Sequence, residues 1–505
     1  MEQFLSASHL VFNVQTLTTI LVASAFGLFV GAIPGLSATM AIALLVPFTF
    51  YMDPVPAIAA IVTCSAMAIT AGDIPSALLR IPGTPASAAY TDEAYAMART
   101  GKGGLAITIS LVSSCIGGLF GFAVLMFSAP YLSKLGLSFS SFEYFWLTAL
   151  GLSCAVLINA SRLTKALIGL FIGLLLAAVG TDPLTGTARL TFGSTALLGG
   201  ISFIPAMIGL FAIPEILRNV RPSKATTIVP VERNPWAGLG RILWKYRQGL
   251  CRGSVLGTVV GALPGAGGDI AAWMSYTMSK RFSREPEKFG SGHPEGLVEA
   301  GASNNSALSA SWIPAMVFGI PGDTITAIAI GVLYMKGMNP GPQLFTTHAE
   351  NYYAVMIIFV IANILMVPFG YLALMLARQI FRVPRPMLQS VILVFCILGA
   401  YSINNAVSDI FIMIAIGILA VWLEANRVPM APIILGLVLG PLLEQNFLTS
   451  LSITGGGLLG FVERPISVGI AIVTLAMWSV GIVSSLRSRD DPYEAATRNI
   501  GNEAR

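Results

Sequence analysis

Two proline–glycine motifs each occur twice in this chain, and every copy lies in charge-poor hydrophobic sequence. Residues 27–35 (GLFVGAIPG) reappear with three changes at residues 257–265 (GTVVGALPG). Residues 74–83, an Ile-Pro followed by Ile-Pro-Gly, reappear at residues 313–322. Proline and glycine interrupt helices and free backbone polar groups, which a membrane tolerates only where protein or a water-filled cavity surrounds them. Paired breaks at matched positions of two halves are typical of the binding site of a secondary transporter.

The composition predicts an all-α polytopic membrane protein. The chain is 55% hydrophobic and only 10% charged, whereas soluble domains carry roughly 25% charged residues. A spanning helix needs about 20 apolar residues. Stretches without Asp, Glu, Lys or Arg that can cross a membrane at least once are residues 10–52, 105–133, 190–214, 351–377, 386–408 and 465–486. Together with the shorter apolar runs they predict about 11–14 membrane segments.

The repeats and the charged loops predict the domain organisation. Residues 1–217 and 253–486 form two pseudo-symmetric membrane repeats, joined by a linker at 218–252 and followed by a polar tail at 487–505. The linker has eight basic residues and one acid, which places it in the cytoplasm by the positive-inside rule. The loop after the second break is basic and its counterpart after the first is not, so we expect an inverted repeat. Two parallel repeats with unequal loops are the alternative.

Several function classes lack their required motifs. The glycine-rich residues 261–269 lack the Gly-Lys-Ser/Thr of a phosphate loop and the last glycine of a dinucleotide fingerprint. The five cysteines are scattered without a CxxC pair, so we expect neither a disulfide nor a metal site. No catalytic residues are assigned, because no convergent nucleophile and base are visible. The basic surplus fits cytoplasmic loops better than a nucleic-acid partner. Active transport by such a chain must therefore use an ion gradient.

The breaks supply the first candidate substrate contacts. Freed amides at the start of a half-helix attract an anion, and freed carbonyls coordinate a cation. Tight helix packing is the alternative role of these glycines. We predict that the two Ile-Pro-Gly breaks meet near the middle of the membrane and form one substrate site. The candidate residues at the breaks are Pro34, Gly35, Pro82, Gly83, Thr84, Pro264, Gly265, Pro321 and Gly322.

Polar residues beside the breaks are candidates for substrate and ion binding. A guanidinium can grip a carboxylate bidentately, so Arg80 is assigned to the substrate, together with the amide of Asn305. Asn304, Asp323 and Asp269 are assigned to the coupling cation, for which Na+ suits amide and carboxylate oxygens. The alternatives are a structural ion pair of Arg80 with Asp73 or Asp323, and helix capping by the asparagines.

The ordered set of motifs resembles the large membrane subunit of the tripartite tricarboxylate transporters over nearly the whole chain. The resemblance rests on residues 31–36 (GAIPGL), 81–84 (IPGT), 95–101 (YAMARTG), 180–186 with 192–193, 261–265, 295–296 with 304–305, 319–322 and 435–444. It implies a secondary carrier in a bacterial inner membrane that works with a small membrane subunit and a periplasmic solute-binding protein. It also implies import of a tricarboxylate or related organic acid, driven by a Na+ or H+ gradient and without a cofactor.

This chain departs from the family pattern near the first break. Arg80 stands where a small polar residue is usual, and residues 70–73 (TAGD) replace an aromatic-Gly-Gly-Ser stretch. Gly301 occupies part of a segment where the pattern has a Pro-Glu pair. An extra buried cation at Arg80 would suit a differently charged carboxylate. The alternatives are a symporter of the same fold that needs no binding protein, an anion channel, and an intramembrane enzyme, for which no convergent nucleophile and base are visible.

Overall fold

The computed structural model is almost entirely helical, which confirms the all-α prediction. It describes residues 2–157, 162–182, 185–218, 229, 232, 234–346, 349–382 and 385–487. Within these ranges the one sheet is a two-stranded antiparallel hairpin of β1 (Gly180–Thr181) and β2 (Ala188–Arg189). The predicted polar tail from residue 488 and most of the predicted linker up to residue 233 lie outside the described residues.

The helices alternate between long apolar segments and short pieces separated by breaks. Up to residue 218 they are α1 (Glu2–Val11), α2 (Val14–Ala32), α3 (Ala38–Thr49), α4 (Pro54–Ala71), α5 (Asp73–Leu79), α6 (Thr91–Met97), α7 (Gly103–Gly136), α8 (Ser141–Leu157), α9 (Leu163–Ala177) and α10 (Phe203–Arg218). The following helices are α11 (Leu239–Lys245), α12 (Arg247–Gly261), α13 (Gly267–Phe282), α14 (Pro294–Ala310), α15 (Trp312–Phe318), α16 (Thr324–Met335), α17 (Ala349–Ile380), α18 (Arg385–Asn404), α19 (Val407–Ala425), α20 (Met430–Ile453) and α21 (Pro465–Arg487).

Several helical segments have the length and composition of membrane spans, so the protein is a multi-pass membrane protein. In the described part of the chain seven reach this standard: Val14–Ala32, Pro54–Leu79, Thr91–Gly136, Ala349–Ala377, Met387–Asn404, Val407–Ala425 and Met430–Ile453. Shorter apolar helices include α3, α8, α9 and α16. The total of 11–14 segments stays a prediction. Residues 190–202 were expected to help form a span, but the glycine-rich loop before α10 is not part of a long helix.

The chain divides into two compact units that do not follow the two sequence halves. One unit combines Met1–Leu137 with Ser202–Val421, and the other combines Ser138–Ile201 with Trp422–Arg505. Each unit therefore takes chain from both predicted repeats. A repeat boundary and a compact unit are different properties, so the division into repeats at 1–217 and 253–486 stays a prediction. The end of the predicted linker is helical, since α12 begins at Arg247.

Glycines allow helices of the first unit to pack closely, and the same contacts occur in both copies of the first motif. On α2, a Cβ at Gly31 would collide with the carbonyl oxygen of Ala68 on α4. On α12, a Cβ at Gly261 would collide with the carbonyl oxygen of Ala307 on α14. Both partners lie at matched positions of the repeat. Small residues at such crossings let helix backbones approach closely in lipid, so the packing role of these two glycines is observed.

The turns after the breaks also have the same geometry in both copies. Gly35 has φ 95° and Gly265 has φ 83°, a left-handed conformation that favours glycine. In the second motif the N–H of Ile81 donates to the oxygen of Pro75 at 3.3 Å, and that of Ile320 donates to the oxygen of Pro314 at 3.2 Å. These matched turns support a structural repeat of the two breaks, while inversion across the membrane stays a prediction.

Candidate binding site at the broken helices

Three helices of the first unit begin close to one another at the breaks. The Thr39 hydroxyl in the first turn of α3 lies 3.2 Å from the Thr324 hydroxyl, which begins α16. Gly267, which begins α13, has φ 64°, and a Cβ built on it would lie 3.0 Å from Cβ of Asp323. Helix N-termini carry unpaired N–H groups and a partial positive charge, so their convergence attracts an anion.

The start of α13 also contacts the loop of the first Ile-Pro-Gly break. Asp269 Oδ1 accepts a hydrogen bond from the N–H of Ala86 at 3.0 Å. The indole N–H of Trp273 donates to the oxygen of Pro85 at 3.1 Å. Because Gly267 contacts Asp323, the first two turns of α13 touch the loops that follow both Pro-Gly pairs. The structure therefore brings these loops to one helix end, while their depth in the membrane stays a prediction.

Two carboxylates lie where the starts of α3, α13 and α16 meet, a place called the junction below, and neither has a basic partner in the described part of the chain. Asp269 and Asp323 are close enough for their charges to repel each other. Neither forms an ion pair with Lys, Arg or His among the residues that the structure describes. Asp323 caps α16 by accepting the N–H of Thr326 at 2.7 Å, and Asp269 is exposed. A cation bound between two such carboxylates would relieve their repulsion.

The two predicted asparagines lie beside this junction on α14, and both are buried. A Cβ at Gly268 would lie 2.8 Å from Oδ1 of Asn304, so this amide faces the first turn of α13. Asn305 donates through Nδ2 to the Thr70 hydroxyl at 3.0 Å, and within the described ranges its Oδ1 accepts no hydrogen bond. The Thr70 hydroxyl already donates to the oxygen of Ala66 at 2.8 Å, which fixes the amide orientation. A free acceptor suits a cation better than the carboxylate predicted for Asn305.

Arg80 differs most from its prediction. It is exposed rather than buried, so the expectation of an extra buried cation is wrong. The predicted ion pairs with Asp73 or Asp323 are also wrong, because Arg80 binds Asp92 with a shortest contact of 2.8 Å. The cause is local: Arg80 ends α5 in the left-handed conformation with φ 57°, the conformation that Gly319 adopts at the matched position after α15. Its proposed contact with substrate stays a prediction.

Arg80 lines an open cavity that sequence reasoning did not identify. The cavity has a volume of about 460 Å³ and is lined by Arg80, Asp92, Tyr95, Ala96, Arg99, Thr100, Gly290 and Ser291. Arg99 is exposed and forms no ion pair within the described ranges. A surface with two guanidinium groups is suited to a carboxylate. Arg99 lies in the motif at residues 95–101. That motif does not predict that Gly290 and Ser291, nearly two hundred residues later in the chain, line the same cavity.

A buried carboxylate holds one wall of this cavity. Glu93 accepts the N–H of Gly292 at 2.7 Å and of His293 at 2.8 Å, a hydrogen bond from the N–H of Gly290, and one from the Tyr276 hydroxyl at 2.9 Å. Backbone N–H groups that converge on a carboxylate stabilise its ionised form. Glu93 therefore fixes the loop after α13 against α6.

The remaining predicted residues lie at the turns themselves. Pro34, Gly83, Thr84, Pro321 and Gly322 are buried. Gly35, Pro264 and Gly265 are half-buried, and Pro82 is exposed. Gly83 and Gly322 both pack against helix backbone, since a Cβ would lie 2.5 Å from Cα of Gly72 and 2.7 Å from Cα of Ser311, respectively. The contact of these residues with substrate stays a prediction.

The comparison with known families identifies the class of this protein. The profile of the tripartite tricarboxylate transporter TctA family matches residues 17–435. The chain belongs to this family. The family comprises transporters and not enzymes, so the protein is the membrane subunit of a tripartite transporter, as its motifs predicted.

Two relatives from Agrobacterium vitis are similar to this member of the TctA family. An uncharacterized 52.8 kDa protein of the TAR-I ttuC' 3' region is 34% identical over 92% of this chain and 93% of its own length. An uncharacterized protein of the TAR-II ttuC' 3' region is 33% identical over 46% of this chain and 97% of its own length. No solved structure matches the chain significantly.

Proposed function

We propose that this chain is the transmembrane carrier subunit of a secondary transporter that imports carboxylates across a bacterial inner membrane. A Na+ or H+ gradient drives the import, and a periplasmic solute-binding protein delivers the substrate. Membership of the TctA family supports the tripartite organisation, with a small membrane subunit as the third component. The observation that supports the carrier mechanism most directly is the pair Asp269 and Asp323, two carboxylates without a basic partner in the described structure.

The junction offers opposite charges to an anion and a cation at adjacent places. The N-termini of α3, α13 and α16 present N–H groups to a substrate carboxylate. Asp269 and Asp323, with the amide oxygen of Asn304, present oxygen atoms to a cation. In this proposal the bound cation neutralises the two carboxylates, which would otherwise repel an anionic substrate. Binding of the substrate therefore depends on the cation, and this dependence is the basis of symport.

In this proposal, Arg80 and Arg99 lie where the substrate enters or leaves the path to the junction. Their cavity adjoins the loop that runs from Arg80 to Ala86, and Ala86 binds Asp269. An arginine pair raises the local concentration of a carboxylate before it reaches the junction. We therefore assign the cavity to the entry or exit of substrate and the junction to its coupled translocation.

The proposal can be tested by reconstitution of the complete transporter. The chain is placed in proteoliposomes with a small membrane subunit and a solute-binding protein, and uptake of radiolabelled citrate and other di- and tricarboxylates is measured. We expect saturable uptake that requires an inward Na+ or H+ gradient. Asp269→Asn should lower the apparent affinity for the coupling cation by about tenfold, because it removes one of two charged ligands. Glu285→Gln, whose partly exposed side chain pairs with Lys288, is the control and should not change this affinity.

The same experiment distinguishes the alternatives. Uptake by the chain without a binding protein would indicate an autonomous symporter of the same fold. Flux that does not saturate and does not respond to an ion gradient would indicate a channel. Either result would contradict the proposed function.

A further inference from the structure

Asp73 is a buried carboxylate that the junction does not use. It begins α5 within the candidate span Pro54–Leu79 and is only 3% exposed. Oδ1 accepts a hydrogen bond from the Tyr90 hydroxyl at 2.7 Å, and Oδ2 accepts one from the Ser110 hydroxyl at 2.5 Å. Among the described residues no Lys, Arg or His pairs with it. An unpaired charge inside a membrane is costly and marks a functional group in most cases.

In the described part of the chain, the main elements packed against α5 place no positive charge in contact with Asp73. These elements are α2, α4, α6, α7 and the turn at Ser87–Ala89. Helix α2 has no titratable residue, and α4 has only Cys64. Helix α6 carries Asp92, bound to Arg80; Glu93, bound to the loop at 290–293; and Tyr95, whose ring centroid lies 5.8 Å from the guanidinium carbon of Arg80. The titratable residues of α7 are Cys115, Tyr131 and Lys134. The facing titratable group is therefore Tyr90, and the facing polar group is Ser110.

The fold itself does not require an acid at this position. The matched residue at the start of the second short helix, α15, is Trp312. This side chain is fully buried, and its turn keeps the hydrogen bond from Ile320 to Pro314 described above. Trp312 thus occupies the equivalent position in the second copy, so the fold alone does not explain why the first copy has a carboxylate there.

Tyr90 connects Asp73 to the junction. Tyr90 is 1% exposed, donates to Asp73 and also lies beside Asn304. Asn304 in turn faces the first turn of α13, next to Asp269. Two buried polar side chains therefore separate Asp73 from the carboxylates of the junction. A rearrangement of α13 when cation or substrate binds would reach the hydrogen bonds of Asp73 through this contact.

We propose that Asp73 is a proton-binding site of the carrier, occupied in one state of the transport cycle and empty in another. The inference rests on the proposed function and adds a proton to its coupling. The hydroxyl groups of Tyr90 and Ser110 both donate hydrogen bonds to the carboxylate. A metal cation needs oxygen lone pairs as ligands, and donating hydroxyl groups do not direct theirs toward this place. A proton neutralises the buried charge without further ligands. When it is lost, the hydroxyl groups of Tyr90 and Ser110 stabilise the carboxylate by hydrogen bonding.

Infrared difference spectroscopy of the purified transporter tests this site without any substrate. We expect the carbonyl band of a protonated carboxylic acid to rise as the pH falls and to shift in D2O. Asp73→Asn should remove this band. Glu93→Gln is the matched control and should keep the band, because it changes a second buried carboxylate and leaves Asp73 intact. If Asp73→Asn does not fold, 13C-aspartate labelling of the wild-type protein should shift the same band.

Transport measurements complete the test. Asp73→Asn should keep substrate exchange at equal pH within about twofold, yet lose acceleration by an inward proton gradient by about tenfold or more. A spectrum without an aspartic acid band at any pH, or a proton-dependent uptake unchanged in Asp73→Asn, would overturn the inference. These outcomes are distinct from failure of the proposed function, which would appear as absent gradient-driven uptake in the wild-type transporter.

Discussion

Asp269 accepts a hydrogen bond from the backbone N–H of Ala86 at 3.0 Å, which joins two breaks that lie far apart in the sequence. Ala86 follows the first Ile-Pro-Gly break. Asp269 lies in the first turn of α13, after the break at residues 261–265 (GALPG). The contact makes Asp269 part of a turn of the first half as well as a ligand candidate. Its charge and its hydrogen bond can therefore be separated by substitution.

Asp269→Asn should keep the hydrogen bond to Ala86 through its amide oxygen and lose the charge. We expect a folded transporter whose apparent affinity for the cation is about tenfold lower, because a charged ligand contributes more than a neutral one to cation binding. Asp269→Leu should lose both properties and also lower thermal stability. Cation titrations of uptake and thermal unfolding of the purified protein measure the two effects. Equal cation affinity in wild type and Asp269→Asn would exclude this residue from the ion site.

Two glycines of the second copy should respond differently to enlargement. Gly265→Leu places a side chain at φ 83° beside the junction, so it should abolish uptake while membrane insertion remains. Gly261→Leu forces a side chain into the carbonyl oxygen of Ala307, so it should lower stability and expression. Uptake normalised to the folded protein in the membrane separates the two. Normal uptake by Gly265→Leu would show that Gly265 has only a packing role.

Arg80 is held in a conformation that costs an L-residue about 1–2 kcal/mol. Arg80→Gly should relieve that strain, and because the exposed pair with Asp92 contributes only about 0–1 kcal/mol, the free energy of unfolding should rise or stay equal. The same change should lower carboxylate uptake at low substrate concentration. Arg80→Lys keeps the charge but loses the planar guanidinium that can bind a carboxylate bidentately. It should reduce uptake without any gain in stability. Full uptake by Arg80→Gly at low substrate would remove Arg80 from the substrate path.

The ion pair between half-buried Arg252 on α12 and buried Glu299 on α14 should be a main source of stability. Arg252 binds Glu299 at 2.5 and 2.7 Å, and Glu299 is fully buried. Arg252→Ala leaves that carboxylate unpaired and should cost about 3–5 kcal/mol. Lys288→Ala, which breaks an exposed pair with Glu285, should cost less than about 1 kcal/mol. Thermal unfolding in detergent compares the two variants, and similar losses would contradict the assignment.

Local backbone features were predictable from the sequence because proline and glycine restrict the chain within a few residues. The motifs predict helix breaks at Gly35 and Gly265, and both glycines lie between helices, in left-handed turns. The partner of Arg80 was not predictable, since it depends on a left-handed turn at a residue that seldom adopts one. The cavity beside Arg99 needs Glu93 to hold residues 290–293, a contact between segments far apart in the chain. The two compact units likewise depend on long-range packing that hydrophobicity alone does not specify.

The central claim is that this TctA-family chain carries a carboxylate together with a cation and depends on its partner subunits. The most direct measurement is uptake of radiolabelled carboxylates by proteoliposomes that contain the chain alone, the chain with the small membrane subunit, and both with the binding protein. Each preparation is tested with an inward Na+ gradient, an inward H+ gradient and no gradient. The account predicts accumulation only in the complete system with one of the gradients. Robust accumulation by the chain alone, or accumulation that needs no gradient, would contradict it.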